Sequence, residues 1–162
     1  MRLLRIFLLV TVASSALLLN AQTRKLDIYW IDTEGGAATR FVTPTGQSLL
    51  VDTGNQTADD RDAKRIADAA KKAGLTKIDF LLITHFHSDH VGGVVALSRM
   101  IPIERYFDHG DSIELQNPGA VQQRNAYKSL VEGKLTSLKR GDRIPLTGVD
   151  VRIVSSNGEA IP

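Results

Sequence analysis

The stretch Ile78-Asp79-Phe80-Leu81-Leu82-Ile83-Thr84-His85-Phe86-His87-Ser88-Asp89-His90-Val91-Gly92-Gly93 decides how the rest of the chain is read. Ile78 to Ile83 is nearly all apolar, as in a strand buried on both faces of a sheet. Directly after it come four side chains able to bind a metal: His85, His87, Asp89 and His90. Three of the chain's 4 histidines lie in this loop. A single loop histidine would be an ordinary surface polar group. A cluster at a strand end is different, because α/β sheets place ligands at the carboxyl ends of their strands. If the loop leaves the strand extended, His85 and His87 share a face, since alternate side chains do. The turn into a following helix then presents Asp89 and His90 to a second position. One loop can thus serve two neighbouring ions, and two ions about 3.5–4 Å apart can clamp both the attacking and the leaving oxygen of a displacement. Imidazole and carboxylate suit zinc, with iron and manganese also compatible. Asp89 has an alternative use as a cap for the helix that follows.

Outward from this loop the pattern is that of an α/β protein. Upstream, residues 24–31, 37–42 and 48–51 read as strands, with Leu26, Ile28 and Trp30 on one side of the first. Gly35-Gly36 and Pro44-Thr45-Gly46 are the breaks between them. The third strand is mostly apolar and runs into Asp52-Thr53-Gly54. Residues 59–73 read as a helix, with Ala63, Ile66, Ala67 and Ala70 at helical spacing and Asp62 off that stripe. Lys71 and Lys72 complement its dipole, and Gly74 ends it. Downstream, Gly92-Gly93 opens a short helix over 94–100 that Pro102 stops. Residues 103–107 form a strand ending at Asp108-His109-Gly110. Residues 120–132 form a second long helix, and 149–154 a last strand before the Asn157-Gly158 turn. Strand–helix alternation after an early hairpin implies a layered sheet, not a barrel or a bundle.

Composition bounds the rest. The 162 residues carry a formal charge of +2, and Cys is absent, so no disulfide and no acylated cysteine is available. Met1 to Arg5 is short and basic, and Ile6 to Leu19 is almost wholly apolar. This order, with Ala21 at a plausible cut, reads as a secretion signal over 1–21 and an exported protein. An uncleaved anchor is the alternative. Removing the signal takes away Arg2 and Arg5 and leaves equal numbers of bases and acids. Residues 24–162 then make one domain. A nucleic-acid binder usually shows a basic stripe, whereas here only the modest set Lys134, Lys139, Arg140 and Arg143 stands out.

The motif His85-x-His87-x-Asp89-His90 with Val91-Gly92-Gly93 resembles the signature of the metallo-β-lactamase fold. Leu50-Val51-Asp52-Thr53-Gly54 is similar to that family's earlier aspartate-bearing strand end. Trp30-Ile31-Asp32 with Gly35-Gly36, and Tyr106-Phe107-Asp108-His109, resemble secreted bacterial members related to the hydrolase-like domain of the DNA-uptake competence protein. The resemblance implies an αββα sandwich of two similar halves and one or two zinc ions. It implies that His85 and His87 bind the first ion, and Asp89 and His90 the second. Asp89 would also orient the attacking water, and Asp52 would stand behind the ligands and hold the loop. A plain turn aspartate is the other reading of Asp52. The family takes its remaining ligands from the second half, whereas this chain matches roughly the first half. After His90 the only histidine is His109, which is a further candidate ligand or else a loop histidine bonded to Asp108. The expectation is a metal-dependent hydrolase acting on an ester, amide or phosphodiester. Its rival is an inactive partial domain that binds metal or serves structure only. A homodimer would restore the missing layers.

Overall fold

A computed structural model of the chain describes residues 25–111 and 116–161, so the signal read over 1–21 lies outside the described residues. The centre is a six-stranded sheet in chain order: β1 (Asp27–Trp30), β2 (Thr39–Val42), β3 (Ser48–Val51), β4 (Ile78–Leu82), β5 (Ile103–Asp108) and β6 (Leu135–Ser137). The first three strands form an antiparallel meander, and β3 to β6 run parallel. The parallel strands are joined by helices: α1 (Arg61–Lys72) after β3, α2 (Ser88–Val91) and α3 (Val94–Met100) after β4, and α4 (Pro118–Leu130) after β5. Parallel strands need such crossovers, and successive right-handed ones that advance in one direction along a sheet lie on one face.

That face carries the larger core. Leu50 and Leu81 from the sheet meet Ala63, Ile66 and Ala70 of α1, Val94 and Leu97 of α3, and Tyr127 and Val131 at the end of α4. Arg40 lies on the same side, almost wholly buried, with its guanidinium over the Tyr29 ring at 4.4 Å and donating to the Ala69 carbonyl at 2.6 Å. Burial lowers its pKa, because removal from water disfavours the charged form. On the opposite face Leu49, Phe80 and Phe107 are covered by Leu138, Ile144 and Leu146, with Val149, Val151 and Ile153 around them. This covering segment holds the short pair β7 (Arg143–Ile144) and β8 (Val151–Arg152), followed by the hairpin β9 (Ser155–Ser156) and β10 (Glu159–Ala160). Among the described residues no helix is long and apolar enough to cross a membrane.

Several expectations shift. The long helix starts at Pro118, not Ala120, because Asn117 caps it: its side-chain oxygen accepts from Gly119 N at 3.1 Å and Ala120 N at 3.2 Å, and Pro118 fits the first turn. The loop after β4 contains a helical turn, α2, that the motif alone did not announce. The strand expected over 149–154 is only two residues long, and β6 is a strand that the sequence does not signal. Short edge strands carry little periodicity to read. Asp62, placed off the apolar stripe of α1, is fully buried. It turns toward the loop after β3, where its carboxylate accepts from Asn55 N at 2.8 Å and from Arg61 Nε at 2.7 Å.

Candidate metal centre

The loop after β4 places its histidines by strand-end geometry. Ile83 N donates to Phe107 O at 2.9 Å, so the chain is still registered to β5 at that point. Phe86 turns inward and is only 2% exposed, packed on Tyr127 with centroids 5.8 Å apart. Its neighbours His85 and His87 therefore point away from that core, as the alternation anticipates. At His87 the backbone is still extended, with φ −70° and ψ 149°, and α2 begins at Ser88. That turn carries Asp89 and His90 back toward His85. The His85 ring lies 4.7 Å from that of His87 and 3.9 Å from that of His90, centroid to centroid.

The other end of α2 is bolted to the loops after β1 and β3 through backbone. Ala37 N donates to Asp89 O at 3.0 Å, and Thr53 N donates to His90 O at 2.7 Å. Thr53 Oγ1 adds a second donor to His90 O at 3.0 Å. Such close approach leaves no room for side chains. A Cβ on Gly36 would stand 2.4 Å from Asp89 O, one on Gly92 2.2 Å from Ser88 O, and one on Gly93 2.2 Å from Thr53 O. The three glycines flagged in the sequence as breaks and a helix start are thus required by packing at the ligand loop.

Asp52 holds the cluster from behind. It is 2% exposed and sits at φ 61°, in the left-handed region that a non-glycine residue adopts only under constraint. Its carboxylate accepts from Thr84 N at 2.8 Å and Thr84 Oγ1 at 2.7 Å, and meets His90 Nδ1 at 2.8 Å. A carboxylate on Nδ1 makes that nitrogen the donor and leaves Nε2 as the lone-pair atom, which is how ligand histidines are oriented. His90 Nε2 lies 3.5 Å from Asp89 Oδ2. His85 is pushed below the usual histidine pKa, first by burial and then by the neighbouring His90 and His87. That direction favours the neutral imidazole, the form a metal ligand must take.

The fit to a metal ion is one of donors and placement. Three imidazoles and a carboxylate are gathered on one loop, with the supporting carboxylate in place. Among the described residues no three of these groups already converge on one point. The His85 ring lies against both of the other two rings of the loop. Asp89 does not cap the next helix: α3 has Gly93 as its N-cap residue and no side-chain cap. His109 is not bonded to Asp108 either. The Asp108 carboxylate is taken by Lys128 Nζ at 2.6 Å, Ser137 Oγ at 2.7 Å and Gly110 N at 2.9 Å. His109 instead lies against Phe86, centroids 5.1 Å apart, and lines one cavity with His85 and His87. That cavity is about 590 Å³, and its far wall is the β9–β10 hairpin.

Residues 32–160 match the metallo-beta-lactamase superfamily. The chain belongs to that superfamily. It is 33% identical over 104 residues to a UPF0173 metal-dependent hydrolase of Cupriavidus necator, covering 64% of this chain and 34% of the relative. It is 46% identical over 63 residues to an atrochrysone carboxyl ACP thioesterase of Passalora fulva, covering 38% of this chain and 18% of the relative. Its fold is similar to that of a subclass B3 metallo-beta-lactamase, MEM-A1, isolated from a soil metagenome library, with TM-score 0.53 at 18% identity, over 76% of this chain and 47% of the other. The chain therefore spans at most about a third of the curated relatives named here and about half of the solved structure.

Proposed function

We propose that the chain is a zinc-dependent hydrolase, or the metal-binding part of one, acting on an acyl ester or thioester. The observation that carries the reading is the Asp52–His90–His85–His87 cluster, with Asp89 beside it and a substrate-sized cavity next to it. A divalent ion bound there would supply Lewis acidity and lower the pKa of water toward about 7. The protein's own contribution is to gather His85, His87 and His90 on one loop, with burial favouring the neutral form of His85 and Asp52 fixing His90 through Nδ1. Asp89 stands at the open edge of the cluster, where its carboxylate can take a hydrogen bond from an attacking water and aim it.

The cavity wall bears on the substrate. The residues lining it are Thr84, His85, Phe86, His87, His109, Ala120 and the hairpin residues 155–160, with no lysine or arginine among them and one carboxylate, Glu159. A phosphodiester would find no protein cation there to offset its charge. A neutral acyl ester has no such need, and the thioesterase relative supports the same choice. Kinship with the competence-protein branch, whose likeness points to phosphodiesters, is the alternative within this reading. Export through residues 1–21 is part of the proposal, and an exported product beginning at Gln22 is its expected mark. The rival reading, a domain that binds metal weakly and catalyses nothing, is favoured by the absence of three converging donors among the described residues.

The deciding experiment compares wild type and Asp89→Asn, both with zinc, on a thioester, a β-lactam and a phosphodiester. The expected result is thioester cleavage that Asp89→Asn reduces by at least about a hundredfold. Equal rates for the two proteins on every substrate would remove the enzyme.

A further inference from the structure

We infer that a cleft on the helix face binds a short peptide by its backbone and its two charged ends. The cleft has a volume of about 340 Å³ and lies among the loop after β3, the start of α1, α3 and α4. No histidine lines it, so it stands or falls apart from the metal reading. Two opposite charges face it, Asp60 and Arg99, and among the described residues neither side chain has an ion pair or a hydrogen bond. Asp60 is the N-cap residue of α1, a place where aspartate ordinarily accepts from the helix's own first amides. Here it sits at φ 55° and ψ 33°, in the left-handed region, and makes no such bond. A non-glycine residue held in that region is strained, and such strain gathers where ligands are clamped. The carboxylate is thereby released from the helix and left to the cleft. Arg99 is exposed, so the cleft opens to solvent at its end.

Between the charges the walls are amides: Asn55, Gln56, Gln122 and Gln123. Each side-chain amide offers a carbonyl acceptor and an NH₂ donor, the same two kinds of group that a peptide unit presents. None of these four side chains is hydrogen-bonded within the protein among the described residues. Ala63, Ala96 and Ala126 line the same cleft, so nothing bulky blocks an extended chain. The spacing of the charges selects the length. Gly93 N donates to Gly54 O at 3.2 Å, so α3 opens beside the loop that leads to Asp60 and α1. Arg99 lies about 9 Å further along the axis of α3 than Gly93, at 1.5 Å per residue. The ammonium and carboxylate of a free amino acid share one carbon and cannot span such a distance. An extended chain reaches about 3.3–3.6 Å per residue, so two or three residues suffice. The ammonium end then meets Asp60, the carboxylate end meets Arg99, and the peptide units pair with the amides.

The test titrates the full chain by calorimetry with dialanine, trialanine, free alanine and N-acetyl-dialanine amide. Dialanine or trialanine should bind at one site. The blocked peptide, which has neither charged end, should bind at least about tenfold more weakly, the loss expected when hydrogen bonds to charged groups are removed. Arg99→Gln should show a similar loss for the free peptides. Asp60→Gly should show it too, while melting at a higher temperature than wild type, because glycine adopts the left-handed conformation freely. That pairing of lost affinity with gained stability separates a ligand contact from a structural one, and it also shows that the variant folds. No uptake of either peptide at millimolar concentration would overturn the inference. So would a blocked peptide that binds as tightly as the free one, or unchanged affinity in both variants. Free alanine binding as tightly as the peptides would overturn the peptide assignment in favour of an amino acid.

Discussion

The two faces of the central sheet are covered very differently. On the helix face, Leu50, Leu81, Ile66, Ala70, Leu97 and Tyr127 are each fully buried. On the other face, cover reaches β3, β4 and β5 but stops short of β1. Cross-strand pairing puts Ile28 opposite Phe41, and Phe41 opposite Leu49, so Ile28 and Trp30 belong to the same face as the smaller core. Yet Trp30 is 79% exposed and Ile28 40%. The candidate centre hangs on the well-covered side: Phe86 anchors its loop in the larger core, and α2 is tied to the loops after β1 and β3.

Substitutions can break this comparison. Leu81→Ala, in the middle of the helix face, should cost about 2–5 kcal/mol of folding stability in a denaturant titration, since the surrounding helices cannot collapse onto the lost volume. A cost as small as that of a surface change would mean that the two faces are equivalent after all. Gly93→Ala should cost about 1–3 kcal/mol, because its methyl must displace the Thr53 carbonyl; it should also move the ligand loop, visible as shifted histidine NMR signals. Asp52→Ala should weaken zinc about 10–100-fold by freeing His90 Nδ1 and both Thr84 donors. Calorimetry reads this directly, and an unchanged affinity would reduce Asp52 to a turn residue. Trp30→Ser should alter monomer stability by no more than about 0.5 kcal/mol. The same substitution sharpens the dimer proposal. If a second copy covers β1, wild type should scatter light as a dimer and Trp30→Ser as a monomer, whereas a monomeric wild type removes that partner.

Much of this was legible in the chain. The metal loop was visible because four ligand types crowd one strand end, and the elements around it were visible where periodicity was strong, as in α1 and β4. Asn117-Pro118 was a readable start signal for α4 that the apolar pattern of 120–131 overshadowed. Asp62 could not have been found by periodicity: its partner is a backbone amide in the loop after β3, seven residues earlier. The same is true of the pairing among the histidines. Spacing along a loop orders side chains, but their distances depend on where α2 begins.

By itself the sequence determined the kinds of atoms available at the centre and the strand end that carries them, because local alternation and turn residues are properties of neighbouring positions. It also marked, through Gly92 and Gly93, a tight helix start beside the loop. Only the tertiary structure decided which groups meet. Asp52 reaches His90 across 38 positions, and His109 lines the same cavity as His85 because two parallel strands end together. Such contacts arise from packing over long sequence separation, which no local pattern encodes.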